Sequence, residues 1–196
     1  MLARPAPLPS GPAWTFELKW DGFRILVSTE HELRVRSRRG RDMTPVLPEV
    51  RKLPEGLVLD GELVAWKGRE PWFPNLRRRM LDHDLTVPVT FIAFDLLGID
   101  GTDVSQRTYS ERRDLLVGLG LDGPGWATSE TFEDGDALFA SVCELGLEGI
   151  VAKKRSGRYR PGERGWVKTK NPNYQRRESE LVGARRSMER RARART

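Results

Sequence analysis

A chain of 196 residues with 38% hydrophobic content can bury one core and a small appendage, which excludes two full domains. Its formal charge of +6 is concentrated at one end: residues 176–196 hold eight Arg against three Glu, leaving 26 basic and 25 acidic residues before them. The longest apolar stretch, residues 91–97, is too short for a membrane span and the start lacks a signal peptide's apolar core, so a soluble, cytoplasmic protein is expected.

Residues 1–13 are rich in Pro and Gly and predict an extended lead-in, because Pro fixes φ and removes a donor. Strands are expected at 14–19, 23–28 and 32–36, where apolar or alternating runs are separated by turn residues. A helix over 45–52, a strand over 57–65, a helix over 75–81, a strand over 90–97 and a helix over 109–119 follow. The clearest helix is 134–145: Phe132-Glu133-Asp134 gives an acidic start, Ala137, Leu138, Val142 and Leu145 share a face, and Gly146 stands where a glycine stop belongs. Strands at 149–153 and 165–170 complete the series. Strands and helices do not alternate strictly, so the order predicts an α+β domain of antiparallel sheets flanked by helices rather than a doubly wound parallel sheet.

The lone Cys143 cannot form an internal disulfide, and His31 and His83 have no zinc-ligand spacing. Charge is more informative. In Glu17-Leu18-Lys19-Trp20-Asp21-Gly22 the strand period of two puts Glu17, Lys19 and Asp21 on one face, which either meets water or lines a site. Gly22 permits a turn that returns the cation Arg24 to the same place. Lys168 and Lys170 again share a face and could depress a lysine nucleophile's pKa while holding a polyphosphate, or simply be solvated. Glu62 and Glu148 interrupt apolar strands and are oxygen ligands of the kind Mg²⁺ takes, or else edge carboxylates facing solvent. Phe94-Asp95 offers an aromatic face for a purine with a carboxylate beside it, although a single Phe is often core. Ser37-Arg38 could bind ribose and phosphate, or form a basic hairpin turn. The basic runs 34–41 and 153–170 suit phosphate-rich partners as well as a solvated face.

The order of these motifs, Lys-x-Asp-Gly-x-Arg, Ser-Arg, Asp-Gly-Glu, Phe-Asp, Glu-Gly-Ile-Val-Ala-Lys and Trp-Val-Lys-Thr-Lys, resembles the nucleotidyltransferase series of ATP-dependent DNA ligases. The wording around Lys19 and in 156–162 is most similar to bacterial ligases of the end-joining type. The resemblance implies the nucleotidyltransferase fold, with an adenylation domain over 1–175 and a basic Arg-rich tail over 176–196. It implies ATP and Mg²⁺ as cofactors and nicked duplex DNA or DNA ends as partner, in a monomer. Lys19 would be the adenylated nucleophile, with Asp21 keeping its neighbourhood ordered. Glu17 and Phe94 would hold the adenine, Arg24, Ser37 and Arg38 would meet phosphate or the DNA end, Glu62 would contact ribose or metal, Glu148 would help bind Mg²⁺, and Lys168 and Lys170 would grip the α-phosphate.

Only 26 residues follow Lys170, too few for the OB-fold barrel with which such ligases continue. The expectation is a chain without that domain, working as a ligase core for full ligation or for partial steps only, or with an OB-fold or end-joining partner in trans. The run 185–195 within the tail is expected to be disordered, or helical only on contact with an anion. An RNA ligase or capping-type nucleotidyltransferase uses the same lysine logic, and a non-catalytic nucleic-acid-binding remnant is the alternative from another class.

Overall fold

The computed structural model describes residues 1–174; the tail, with the expectation of disorder or anion-induced helix, lies outside the described residues. Strands β1 (Ala3–Pro5), β2 (Trp14–Leu18), β3 (Phe23–Ser28) and β4 (Arg34–Ser37) come first. Two 3-10 turns, Thr44–Val46 and Pro48–Lys52, lead to β5 (Leu57–Lys67), β6 (Glu70–Pro71) and helix α1 (Phe73–Leu81). Then come β7 (Val89–Ile99), β8 (Thr102–Asp103), α2 (Tyr109–Gly118), β9 (Asp122–Gly123) and β10 (Trp126–Thr128). Helix α3 (Gly135–Glu144) and strands β11 (Gly149–Lys154) and β12 (Trp166–Lys170) complete the order.

The strands form two sheets, ordered β1-β12-β11-β2 and β4-β3-β5-β7-β10-β9, with β6 added to β5 and β8 to β7. Alternation sets the faces. In β5, Leu57, Leu59, Leu63 and Ala65 enter the principal core while Asp60 and Glu62 take the opposite face. Helix α1 covers that core with Leu76 and Met80, α2 with Leu116, and the 3-10 turns with Val46 and Val50. Helix α3 lays Leu138 and Val142 on the smaller sheet, against Phe16, Ile150 and Val167. A third cluster, Tyr159 and Trp166 with Phe94 and Val151, joins the remaining faces of the two sheets, and the charged residues lie beside it.

The seven expected strands and three of the four expected helices are present, each end within two residues of its expected place. The fourth helix, 45–52, is instead the two 3-10 turns: Val46 and Leu47 donate to the carbonyls of Met43 and Thr44, and Pro48 has no N–H with which to continue an α-helical ladder. The lead-in is not wholly irregular, since Ala3–Pro5 pairs in parallel with β12 at the sheet edge, where a missing Pro donor is tolerated. Strand β10 also runs parallel to β7, so the sheets are antiparallel except for these two pairs. In α3, Ala137 is exposed, and Leu145, at the C-cap, is 72% exposed, so Leu138 and Val142 form its buried stripe.

Candidate active site

Strands β2 and β11 lie side by side with Leu18 opposite Ile150, so the residues that follow one and precede the other meet. These are Lys19 and Glu148. The Lys19 amide donates to Gly149 O at 2.9 Å, and its ammonium stands 2.5 Å from Glu148 Oε2. Glu148 is buried, and its other oxygen takes the Lys170 ammonium from β12 at 2.7 Å. Burial pushes this carboxyl up, but the charges of Lys19 and Lys170 and their hydrogen bonds hold it below the usual carboxylate range. The close strand approach requires Gly149, whose φ is 151° and whose Cβ would stand 2.3 Å from Thr169 O.

The expected convergence of Glu17, Lys19 and Asp21 on one face does not occur. Strand β2 ends at Leu18, so the period of two stops before Lys19. Beyond it the chain turns at Gly22, where a Cβ would stand 2.2 Å from Leu63 O, and the Asp21 carboxylate accepts the Tyr174 hydroxyl at 2.8 Å. Glu17 remains in the strand, buried, and its Oε1 accepts the Tyr109 hydroxyl at 2.5 Å and pairs with the Lys153 ammonium at 2.6 Å. That ammonium also donates to Phe94 O at 2.8 Å and lies 4.6 Å from the Phe94 and Trp166 ring centres.

Arg24, on β3, is fixed by Asp60 of β5 through Nε to Oδ1 at 2.9 Å and Nη2 to Oδ2 at 2.5 Å. Desolvation works against its charge, but the hydrogen bonds and charge of Asp60 outweigh this and raise its pKa. Across the β3–β5 pairing from Arg24 stands Glu62, half-buried, with no direct hydrogen bond or ion pair among the described residues. Burial pushes its carboxyl up to about 8, although Lys19 and Arg24 pull the other way. On β12, desolvation and the repulsion of Lys19 and Lys170 lower the pKa of Lys168, and the exposed Arg38 is close enough to add to this.

Phe94 is half-buried, edge-on to Trp166 with ring centres 5.6 Å apart, and Arg24 lies 5.4 Å from its centre. The carboxylate expected beside it is committed to a buried ion pair. A register shift in the β5–β7 ladder makes Phe94 an extra residue of β7 and pairs Asp95 with Asp60, and Asp95 is buried against Arg112, which donates to it at 2.7 and 2.9 Å. Ser37 stands apart as well: its Oγ accepts the Arg41 amide at 3.1 Å and closes a hairpin turn. The structure therefore gathers Lys19, Arg24, Arg38, Glu62, Glu148, Lys168 and Lys170 into one electrostatic neighbourhood, adjoined by Glu17 and Phe94. No cluster of three or more His, Cys, Asp or Glu among the described residues could hold a metal unaided.

A family model described as "ATP dependent DNA ligase domain" matches residues 4–170. The chain belongs to that family. The multifunctional non-homologous end joining DNA repair protein LigD of Mycobacterium tuberculosis is 42% identical over 176 residues, which cover 83% of this chain and 22% of LigD. The crystal structure of the ligase domain from M. tuberculosis LigD matches with a TM-score of 0.74 and 39% identity, covering 86% of this chain and 58% of that one. A mycobacterial DNA ligase D complexed with ATP and MES matches with the same TM-score at 38% identity and the same coverage. The chain thus spans about a fifth of the length of the LigD relative it matches.

In this ligase domain, reasoning from the sequence missed Asp60, Tyr109, Lys153, Tyr159 and Trp166. Asp60 and Lys153 lay within motifs already singled out, and a carboxylate or ammonium inside an apolar strand was the available signal. Tyr109 offered none, since it reaches Glu17 from 92 residues away.

Proposed function

We propose that the chain is the adenylation core of an ATP-dependent DNA ligase, in which Lys19 carries AMP from ATP to the 5′-phosphate of nicked DNA. The observation that carries this reading is the Lys19 ammonium held 2.5 Å from Glu148 in the neighbourhood of Lys168, Lys170 and Glu62. The ATP bound in the mycobacterial ligase D structure supports ATP as the nucleotide.

The neutral Lys19 amine attacks the innermost phosphorus of ATP, forming a P–N bond as the bond to pyrophosphate breaks. Glu148, its pKa held low, is a weak base; it orients Lys19, whose side chain is 21% exposed and can release its proton to water. Lys168 and Lys170 supply positive charge to the α-phosphate. Phe94 stacks on the adenine, and Glu17 accepts from its amino group through Oε2, which has no hydrogen bond among the described residues. Asp21 orders the Lys19 turn through Tyr174, while Ser37 shapes the turn that presents Arg38, which with Arg24 meets phosphate.

Glu62, a carboxylate left without a direct partner, fits Mg²⁺, an ion commonly held by one or two carboxylates together with substrate phosphates, and Glu148 would join it where Lys19 or Lys170 gives up one of its two oxygens. Bound there, Mg²⁺ supplies charge neutralisation to the triphosphate. AMP then passes to the 5′-phosphate, and the 3′-hydroxyl displaces it to seal the strand. The adenylation domain covers 1–175, and the tail 176–196 adds affinity for DNA, alongside an OB-fold or end-joining partner in trans.

Mass spectrometry after incubation with ATP and Mg²⁺ is expected to find AMP on Lys19 and none on a Lys19→Ala protein. Absence of any adduct, even with an OB module supplied in trans, would end the reading. Labelling by GTP instead of ATP would favour a capping-type enzyme. Sealing of pre-adenylated nicks then tests the last step separately.

A further inference from the structure

Between β11 and β12, residues 155–165 are half or fully exposed except for Tyr159, which is 5% exposed and whose amide donates to Ser105 O at 2.9 Å. Its hydroxyl donates to Asp60 Oδ2 at 2.8 Å and accepts from Arg24 Nη2 at 3.2 Å. Asp60 in turn binds Arg24 through both Nε and Nη2. The guanidinium also lies 5.0 Å from the Trp166 ring centre and 5.4 Å from that of Phe94. Nη1 is left as the one Arg24 nitrogen without a hydrogen bond among the described residues.

We infer that Tyr159 is a positioning residue for AMP transfer to DNA: with Asp60 it holds Arg24 in the orientation that leaves Nη1 for a nucleic-acid phosphate. The inference rests on the ligase reading above. A lone carboxylate can bind a guanidinium along more than one of its edges, and Nε and Nη2 present one edge while Nη1 belongs to another. The Tyr159 hydroxyl selects between them, because it touches both Nη2 and Oδ2 and so completes a three-membered ring of hydrogen bonds. Asp60 is 0% exposed, so water does not readily replace a lost hydroxyl there. The same contact ties Arg24 to a segment carrying exposed Arg158, Arg160 and Arg164, which a DNA backbone can reach.

Tyr159→Phe removes the hydroxyl and keeps the ring that packs edge-on against Trp166. In the full chain labelled with ¹⁵N-arginine, the Arg24 Nε–H is expected to exchange slowly with water, and the substitution is expected to speed that exchange about tenfold. AMP transfer from loaded Lys19 to a 5′-phosphorylated nick is expected to slow about tenfold, with the KM for ATP in the loading step unchanged within about twofold. In an Arg24→Ala background the same substitution is expected to have no further effect on transfer, as two residues acting through one contact require. Equal exchange with and without the hydroxyl, or an equal loss of transfer in both backgrounds, overturns the inference. If the unmodified chain loads no AMP, the ligase reading fails, and the exchange comparison still decides whether Tyr159 holds Arg24.

Discussion

Buried charges at single residues divide into pairs that hold the molecule and groups left open to a ligand. Asp95 and Arg112 are of the first kind: both are almost wholly buried, and Arg112 also donates to Arg107 O at 2.7 Å. Asp95→Ala leaves a guanidinium without its counter-charge and is expected to cost about 3–5 kcal/mol in urea unfolding. Glu62 is of the second kind. Its carboxyl rises from 4.5 to about 8 among Lys19, Arg24, Asp60 and Glu148, with burial the main cause. Between those values the folded state keeps a proton that the unfolded chain has released, so this group's contribution declines as pH rises from about 4.5 to 8. Urea midpoints of metal-free protein across that window should fall with pH, and Glu62→Gln should flatten the fall; an equal slope in both proteins would remove Glu62 as its source.

The secondary-structure elements place these side chains through their ends and irregularities. Helix α2 begins in a capping box, with Thr108 accepting from the Glu111 amide and the Glu111 carboxylate accepting from the Thr108 amide at 2.8 Å. The first turn carries Tyr109, and the next Arg112, the residues that reach Glu17 and Asp95. Thr108→Ala is therefore expected to cost about 1 kcal/mol, measurable by thermal unfolding. The β5–β7 ladder shifts register between Val58 and Leu59 and again between Asp60 and Gly61, which leaves Leu97 and Phe94 as extra residues of β7 and turns Phe94 and Asp95 off the core face that Ala93 and Leu96 enter. At the start of β11, Gly149→Ala would place a methyl against the β12 backbone at a φ that L residues rarely adopt. Loss of the Lys19–Glu148 register, read as reduced AMP loading together with a lower Tm, is the expected result.

In the molecule as a whole, each of the two sheets packs a face on helices or turns, and the charged neighbourhood draws on both: Lys19, Glu148, Lys168 and Lys170 from the smaller sheet and its ends, Arg24, Glu62 and Phe94 from the larger. The near-balance of charge up to residue 175, against the net +5 that follows, predicts where long-range attraction to DNA originates. Removing 176–196 is expected to weaken binding to nicked duplex at low salt and to reduce the slope of log K against log salt by as much as about 4.5. Unchanged affinity at low salt would refute this.

Local pattern was sufficient for seven strands and three helices, because alternation in β5 and the stop at Gly146 are encoded within a few residues, but not for the 3-10 turns at 44–52 or the pairing of Ala3–Pro5. The motif order likewise marked Lys19, Glu62, Glu148, Lys168 and Lys170 as candidates for one site, and the structure places them in one electrostatic neighbourhood. What each charge pairs with was decided only in three dimensions. Glu17 left Lys19's side for Lys153 and Tyr109, Arg24 joined Asp60 and Tyr159, and Asp95 turned to Arg112. Partners 92 and 99 residues apart, as in Tyr109–Glu17 and Tyr159–Asp60, are selected by sheet register and by the need to satisfy every charge that packing removes from water. Neither condition exists until the two sheets have closed on each other, so local periodicity carries no trace of it.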